Sequence, residues 1–524
     1  MRDSAVRIIH FGDTHITSRP QFISSEYFAA VNEINSLTNK IKIDFGVFSG
    51  DLTQDGLYED YVFANKLREL INLPKIHWII GNHDSRSGGF EVWEKMVGER
   101  DFFDVDDKVL FIGLDSCVPD RDSGRFGRKA FDFAKKILTK FGEDRIKIVA
   151  FHHHLLPIPK VGRERSNAVD SGEMLSVLLD YGVDAVFTGH KHHPNVYKVE
   201  DTIIISSGSI SSYKTRSGEP HSFNLVEIRP QKDVKIKTIE TKGNELHEEI
   251  KTITRRFRMV NSSGGKWLRI VQLSGTDFGS SWSKQAEYFK KGMKLIDDTK
   301  PDVIIHNGNL TYSGYSDEYE QAIEHFLKYK EKFIFCPGPR DLRGYGESLL
   351  NKYFDIEHLI EKENSNFYVL NTSEAGTDIG VVGRRTQLKL HRYVHQAKKE
   401  RSKQFNSVIM HHHLVPIPGT RETSALEDAG DVLRLLVDTN VNLVMSGHLG
   451  RAFCTRVEKT VFVNCNTFSS QKTASSENSF NIIDISSDGA IVVSEVFIPS
   501  NFRRILGIFP GSETNKDINY TAKM

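Results

Sequence analysis

The sequence has few cysteines, no surplus of charge of either sign and no long apolar run. Its four cysteines share no spacing typical of a metal site and fit a reducing compartment (Cys117, Cys336, Cys454 and Cys465). No run of about 18 apolar residues occurs, so we expect no membrane-spanning helix. The 69 basic and 69 acidic side chains balance, which argues against a membrane or a long nucleic acid as the partner.

The start of the chain also lacks a signal-peptide pattern. A strand-like run, Val6 to Phe11, begins at once. Together with the cysteine usage, this pattern predicts a cytoplasmic protein. Hydrophobic residues make up 39% of the 524 residues, which is enough for several cores, and at about 150 residues per domain the length favours more than one domain.

Apolar runs of strand length alternate with stretches of helical spacing over the first half of the chain. From Ser25 to Lys40 apolar residues recur at helical spacing, and the next apolar run, Asp44 to Ser49, is short enough for a buried strand. From Asn195 to about Glu240 the pattern turns to short strands. This mixture predicts an α/β fold in which two packed sheets are flanked by helices.

Five of these predicted strands run directly into histidine, aspartate or asparagine. In chain order the blocks are Asp13-x-His15, Gly50-Asp51-Leu52-Thr53-x-Asp55-Gly56, Gly81-Asn82-His83-Asp84, His152-His153-His154 and Gly189-His190-x-His192. In open α/β sheets, ligands bind at the carboxyl ends of strands. We therefore expect these side chains to form one site.

The chemistry of these side chains suits transition-metal ions. Carboxylate, amide and imidazole groups together favour divalent or trivalent Mn, Fe or Zn. With Asp51 shared, the set can hold two ions: Asp13, His15 and His192 on one, and Asn82, His152 and His190 on the other. Two metal ions about 4 Å apart suit in-line displacement at phosphorus, because they activate a water molecule and neutralise the phosphoryl oxygens.

Taken in order, the five blocks resemble those of the calcineurin-like metallophosphoesterase superfamily. The Leu-Thr-x-Asp-Gly continuation after Asp51 and the paired histidines ahead of Pro157 are most similar to its bacterial cyclic-nucleotide phosphodiesterase branch. The resemblance covers the first half of the chain and, in degenerate form, the second. It implies a four-layer α/β/β/α sandwich, present twice in tandem, and the metal ligands given above.

The resemblance also implies catalytic roles for His83 and Asp84. In the family, the histidine of this block approaches the phosphate and assists the leaving oxygen, while the aspartate orients it. A carboxylate beside an imidazole raises its basicity and fixes its tautomer, which supports the same roles. The alternative is that His83 only packs in the turn. We prefer His152 as the metal ligand because it comes first after the strand, but the histidine triple leaves His153 open.

The second half of the sequence repeats the first. His152 to Pro159 returns as His411 to Pro418, and the other blocks return at nearly the same separation along the chain. Such a long period indicates a tandem pair of domains rather than a solenoid. We predict a catalytic domain at 1–241, a linker at 242–266, a degenerate second domain at 267–499 and a C-terminal tail at 500–524.

The repeat departs from the first copy at the metal ligands. Six positions change: Asp13 to Gly275, His15 to Asp277, Asp51 to Asn309, Asn82 to Pro339, His83 to Arg340 and His192 to Gly450. Both ligand aspartates are lost, and Arg340 adds a positive charge where cations would bind. We predict a catalytically inactive copy that makes an intramolecular, dimer-like contact with the first domain.

These patterns predict a metal-dependent enzyme that hydrolyses a phosphodiester in its N-terminal domain. A small phosphoester substrate is expected, with cyclic nucleotides among the candidates. A phosphomonoesterase or nuclease on the same site is an alternative, as is a non-enzymatic scaffold. The complete ligand set of the first domain argues against the scaffold.

Overall fold

The computed structural model divides the chain into two compact units. The first unit is formed by Met1–Arg256 and the second by Phe257–Thr420 and Ser424–Met524. Among the described residues, no helix has the length and apolar character needed to cross a membrane. The structure describes residues 5–162, 167–216, 218–229, 233–253, 266–279, 282–354, 359–362, 365–400, 405–420, 426–439, 441–470 and 477–511.

The first unit contains twelve strands and five α-helices within its described residues. The strands are β1 Val6–Phe11, β2 Phe45–Phe48, β3 Ile76–Trp78, β4 Phe102–Val105, β5 Val109–Gly113, β6 Ile146–Ala150, β7 Ala185–Thr188, β8 Asn195–Val199, β9 Thr202–Ser206, β10 Ser222–Ile228, β11 Asp233–Glu240 and β12 Glu245–Thr252. The helices are α1 Ser24–Lys40, α2 Tyr58–Arg68, α3 Gly89–Met96, α4 Gly127–Phe141 and α5 Ser171–Asp180.

Two sheets form the body of this unit. One has the strand order β12-β11-β10-β1-β2-β3, and the other contains β8-β9-β7-β6-β5-β4. β1 pairs in parallel with β2 and antiparallel with β10. Parallel strands have their carboxyl ends at the same edge, so the turns after β1, β2 and β3 lie side by side.

Alternation along the strands separates two cores. Ile8 and Val47 point to the interior between the two sheets, where they pack with Phe111 and Phe187. The neighbouring Ile9 faces the opposite side of its sheet, because successive side chains of a strand point to opposite faces.

Helices cover the outer face of each sheet. α1, α2 and α3 pack on the first sheet through Val31, Tyr61 and Trp93. α4 packs on β5 and on α5 and buries a stripe that includes Ala134 and Leu138. The unit is the four-layer α/β/β/α sandwich that the sequence predicted.

The second unit repeats the element types of the first. Its strands are β13 Lys266–Leu273, β14 Val303–His306, β15 Phe333–Phe335, β16 Leu359–Lys362, β17 Ser365–Leu370, β18 Phe405–Met410, β19 Leu443–Ser446, β20 Phe453–Val457, β21 Thr460–Asn464, β22 Ser479–Ser486, β23 Ile491–Phe497 and β24 Arg503–Phe509. Its helices are α6 Trp282–Thr299, α7 Ser316–Phe326, α8 Gly346–Tyr353, α9 Arg384–Glu400 and α10 Ala429–Asp438.

The sheets of the second unit also have the strand order of the first. One sheet has the order β24-β23-β22-β13-β14-β15, and the other contains β20-β21-β19-β18-β17-β16. Each strand of these sheets corresponds to a strand in the same place of the first unit's sheets. Apolar side chains again fill the space between the sheets and beneath the helices. The second half of the chain therefore keeps the fold of the first.

Two strands lie outside the domain bounds drawn from the sequence. β12 falls within the predicted linker, and β24 falls within the predicted tail. β12 is charged and mostly exposed, so it carries no apolar alternation by which the sequence could reveal it. Its backbone pairs with β11, and Lys237 lies 2.6 Å from Glu245 and 2.9 Å from Glu248 across the pair. The roles assigned to the two domains stay predictions.

His77 on β3 is a packed core residue. Its side chain is 4% exposed, and its ring stacks on Phe111 with the ring centroids 4.0 Å apart. Burial lowers the pKa of His77 to about 4. The folded first unit therefore holds this imidazole neutral under conditions where an unfolded chain would protonate it.

We expect His77→Phe to reduce the loss of stability on acidification. Between pH 7 and pH 5 the unfolded His77, with a pKa near 6.5, gains a proton that the folded state excludes until about pH 4. The free energy of unfolding therefore decreases as the pH is lowered from 7 to 5, by up to about 2 kcal/mol from this group. Urea unfolding followed by tryptophan fluorescence at both pH values measures the difference. His247→Phe, at an exposed histidine, is the control, and an equal pH dependence in both variants would contradict the assignment.

Candidate metal centre

The predicted ligands lie on turns that bend sharply at the ends of strands. Five non-glycine residues there have a positive φ: Asp13 at 53°, His15 at 51°, Asp51 at 56°, His190 at 78° and His192 at 52°. Residues other than glycine rarely adopt this backbone conformation, and each residue that does so costs about 1–3 kcal/mol of stability. Gly81, just after the neighbouring strand β3, allows the two turns to pack closely, since a Cβ there would lie 2.1 Å from the Asp51 nitrogen. The fold therefore aims these side chains at one point.

Asp51 lies between the two groups of ligands. Its Oδ2 is 3.3 Å from His152 Nε2 and 3.5 Å from His15 Nε2. Its Oδ1 accepts the backbone N–H of His83 at 2.9 Å. The carboxylate is fully buried, and this position matches the shared role that the sequence predicted for it.

The first group consists of Asp13, His15, Asp51 and His192, whose ligand atoms are close enough to hold one ion. His192 Nε2 lies 3.0 Å from His15 Nε2 and 3.4 Å from Asp13 Oδ1. His192 Nδ1 donates to the carbonyl oxygen of Lys214, which leaves the Nε2 lone pair directed at the group. Two imidazole nitrogens and a carboxylate therefore converge on one point.

The second group consists of Asp51, His152 and His190, joined by Asn82. His152 Nδ1 donates to the carbonyl oxygen of Ser49 at 2.8 Å, so in the neutral ring Nε2 carries a lone pair. That nitrogen lies 2.9 Å from Asn82 Oδ1, and His190 Nδ1 lies 3.0 Å from the same oxygen. Acceptor atoms thus face one another at hydrogen-bond distance.

This arrangement fits two bound cations. Without a proton or a cation between them, facing lone pairs and carboxylates repel, and burial leaves no bulk water to screen them. The Nδ1 of His15 adds a buried ring nitrogen without a hydrogen-bond partner among the described residues. Burial lowers the pKa of His192 to about 4 and keeps it a neutral ligand, while burial also raises the pKa of Asp13. Although burial opposes it, Asp51 raises the pKa of His152 to about 9, which shows how strongly this site attracts positive charge.

His152 and His153, the two candidate ligands of the histidine triple, lie in different surroundings. The ring of His153 is held elsewhere, with Nδ1 2.9 Å from Ser116 Oγ and Nε2 3.2 Å from the carbonyl oxygen of Asp122. Only His152 directs a ring nitrogen at Asn82 and Asp51. The preferred residue of the triple is therefore the one that lies in the site.

His83 lies beside the first group, but Asp84 does not contact its ring as predicted. The ring of His83 meets that of His15 edge to face, and its Nδ1 lies 2.7 Å from the carbonyl oxygen of Gln54. The Asp84 carboxylate instead accepts the backbone N–H groups of Leu52 and Thr53, at 3.0 and 2.7 Å. Side chains of adjacent residues in this turn point apart, so Asp84 fixes the turn that carries His83 rather than the ring.

No sequence pattern predicted the groups that orient the side chains of the site. Three are backbone carbonyls, at Ser49, Gln54 and Lys214, and any residue type could supply them. The fourth is Asp122, whose carboxylate accepts the side-chain N–H of Asn82 at 3.1 Å. Asp122 lies in a loop without a recognisable pattern, so only the folded chain reveals its contact.

The equivalent position of the second unit carries an internal ion pair. Arg340 forms a salt bridge with the buried Asp277, and its backbone N–H donates to Asn309 Oδ1 at 3.3 Å. The sequence predicted this arginine charge near the site, and the structure pairs it. A guanidinium therefore occupies the region where the first unit gathers acceptors.

Three histidines of the second unit still lie within ligand distance of one another, His411, His412 and His448. His411 Nε2 is 3.0 Å from His448 Nδ1. His412, however, has Nδ1 2.8 Å from Thr372 Oγ1 and Nε2 3.1 Å from the carbonyl oxygen of Asp378. Both nitrogens of His412 are thus engaged in other contacts, whereas a ring nitrogen of His411 faces one of His448.

Comparison with known proteins identifies the family. A family model described as calcineurin-like phosphoesterase matches residues 6–194 and 269–451, one region in each unit. The chain belongs to the calcineurin-like phosphoesterase family. Members of this family use divalent metal ions, and the two groups of ligands form a candidate metal-binding cluster of that kind.

Curated relatives match part of the chain. It is 28% identical over 224 residues to a probable glycerophosphodiester phosphodiesterase of Arcobacter nitrofigilis, covering 39% of this chain and 78% of the relative. It is 28% identical over 176 residues to a 3',5'-cyclic adenosine monophosphate phosphodiesterase of Haemophilus influenzae, covering 32% and 61%. It is 24% identical over 246 residues to a probable cyclic nucleotide phosphodiesterase of Xenorhabdus bovienii, covering 43% and 96%.

Part of the chain is also similar to solved structures. A purple acid phosphatase from yellow lupin seeds gives a TM-score of 0.40 at 14% identity and covers 48% of this chain and 55% of its own. A dimetal phosphatase from Danio rerio gives a TM-score of 0.37 at 12% identity, covering 48% and 100%.

We expect Asp51→Asn to lose both metal binding and activity. The change removes the carboxylate that belongs to both ligand groups, while the side chain keeps its size. Changes beside metal ligands already cost about 10–100-fold in affinity or activity, so this one should cost about 100-fold or more. Metal content by mass spectrometry and turnover of a phosphodiester measure the effect.

Asp104→Asn is the matched control for this change. Asp104 is a carboxylate of the same unit that pairs with Lys75, and it is absent from both ligand groups. It should keep wild-type metal content and rate. An Asp51→Asn protein that retained two metal ions would contradict the bridging position.

Proposed function

We propose that the first unit is a metal-dependent phosphodiesterase acting on a small phosphodiester. The single observation that carries the proposal is the convergence of carboxylate, amide and imidazole groups around Asp51, a donor set that suits metal cations. Asp13, His15 and His192 would hold one ion and Asn82, His152 and His190 the other, with Asp51 shared. When bound, such ions neutralise phosphoryl oxygens and lower the pKa of an attacking water toward about 7.

The residues of the chain supply the remaining steps. Backbone carbonyls of Ser49 and Lys214 hold the rings of His152 and His192, so little reorganisation is needed when substrate arrives. His83 is partly exposed. Its Nδ1 is held by the Gln54 carbonyl, which leaves Nε2 to give a proton to the leaving oxygen of the ester.

The names of relatives favour a diester over a monoester. The curated relatives are named for glycerophosphodiesters and for cyclic nucleotides, and both are small phosphodiesters. A screen of the metal-supplemented protein on cyclic nucleotides, glycerophosphodiesters and matching monoesters tests the proposal. Higher kcat/KM on monoesters would support the phosphatase alternative, cleavage of polynucleotides would support a nuclease, and no hydrolysis of any ester would support a scaffold.

We predict that His83→Ala slows diester hydrolysis by about 10²- to 10⁴-fold, the usual worth of a general acid. An ester with a very acidic leaving group needs no proton, so its hydrolysis should slow far less. Metal content should stay at the wild-type level, because His83 is not among the residues of either ligand group.

The exposed His247 provides a control, since His247→Ala should change neither the rate nor the metal content. Equal slowing of both esters by His83→Ala would contradict the proton transfer. Loss of metal from that variant would instead make His83 a ligand.

We predict that the second unit contributes no turnover. Changing His411 and His448 together to Ala should leave the rate and the metal stoichiometry of the full chain unchanged, because Arg340 and Asp277 already occupy that region. Changing the matched pair in the first unit, His152 and His190, together to Ala should abolish activity. Loss of activity from the His411 and His448 double variant would give the second unit a part in catalysis.

A further inference from the structure

Asp122 links two residues of the proposed site through one oxygen atom. It lies in the loop between β5 and α4, and its Oδ1 accepts Asn82 Nδ2 at 3.1 Å and Arg86 Nη2 at 2.6 Å. The backbone of the same residue lies against the site as well, since its carbonyl oxygen is 3.2 Å from His153 Nε2. The main chain of Asp122 thus lies against the site, while its carboxylate, in a side chain that is 74% exposed, reaches both neighbours.

The contact with Asn82 decides which end of that amide faces the site. An asparagine side chain presents either a carbonyl oxygen or an NH₂ group, and its hydrogen-bond partners select between them. Because Nδ2 donates to Asp122, Oδ1 faces His152 Nε2 and His190 Nδ1. Only the oxygen can bind a cation, so the Asp122 carboxylate sets Asn82 in its ligand orientation.

The contact with Arg86 extends to the proposed proton donor. Arg86 Nη1 lies 2.8 Å from His83 Nδ1, on the edge of the ring that also meets the Gln54 carbonyl. Asp55 lies 3.8 Å from the same guanidinium nitrogen, so Arg86 is held between two carboxylates. Asp122 therefore places the Arg86 guanidinium against this edge of the His83 ring, where it limits the positions that the ring can take.

We infer that Asp122 is a positioning residue of the metal centre, which orients Asn82 directly and His83 through Arg86. This inference rests on the proposed function for the role of His83, whereas its claim about Asn82 concerns metal binding alone.

Two substitutions separate the two contacts. Asp122→Ala removes the acceptor for both Asn82 and Arg86. Asp122→Asn keeps an oxygen that can accept from Asn82 Nδ2 but removes the charge that holds Arg86. Asp120→Ala is the control for the loop, because Asp120 accepts only a backbone N–H, that of Ser87 at 2.9 Å, among its described contacts.

Binding of Mn²⁺ to chelator-stripped full-length protein, measured by calorimetry, tests the first contact without substrate. Asp122→Ala should weaken one of two Mn²⁺ sites by about 10–100-fold, the usual effect of losing a partner of a metal ligand. Asp122→Asn and Asp120→Ala should bind both ions as the wild type does. Wild-type affinity in Asp122→Ala, or equal weakening in Asp122→Asn, would overturn the orienting role.

Turnover at saturating Mn²⁺ tests the second contact. Asp122→Asn should lower kcat about 10-fold with KM unchanged. For an ester with an acidic leaving group, the decrease in kcat should be smaller. An unchanged kcat would overturn the link through Arg86. If the wild type binds two Mn²⁺ ions and Asp122→Ala loses one but no diester is hydrolysed, the proposed function fails while the role in metal binding stands.

Discussion

The acceptor atoms gathered around Asp51 constrain the rest of the first unit. Carboxylate oxygens, an amide oxygen and imidazole nitrogens lie within about hydrogen-bond distance of one another in a buried place, and left alone they would repel. Two things keep them together: a rigid pair of sheets, and backbone carbonyls that accept the outward N–H of the rings of His152 and His192. The arrangement is costly for the apo protein, and that same cost favours the binding of cations.

The backbone contributes to this constraint as much as the side chains do. The ligand turns have a positive φ in the first unit, and the corresponding turns of the second unit keep it at Gly275, Asp277, Asn309, His448 and Gly450. Two of these positions have become glycine, the residue for which this conformation costs least. Once ligand chemistry is no longer required there, nothing opposes the change to glycine, and the turn itself survives because strand pairing and packing define it.

The second unit shows how separable the fold is from the site. Its sheets have the strand order of the first unit, and its cores lie between the sheets and beneath the helices, away from the strand ends. Ligands at strand ends can therefore change without loss of the core. Arg340 and Asp277 supply positive and negative charge to each other within the chain, in the region that corresponds to the ligand turns of the first unit.

The sequence by itself determined the α/β sandwich, its duplication and the seven proposed ligands, because each ligand follows an apolar strand and parallel strands bring such ends together. It could not decide how the rings are oriented, since carbonyls of Ser49, Gln54 and Lys214 do that work irrespective of side-chain type. It also misjudged Asp84, because neighbours in the chain need not be neighbours in a turn, and it missed β12, whose pairing rests on backbone hydrogen bonds rather than apolar alternation. Only the tertiary structure decided that His152 and not His153 enters the site, and that Asp122, a loop residue far along the chain, holds the amide of Asn82.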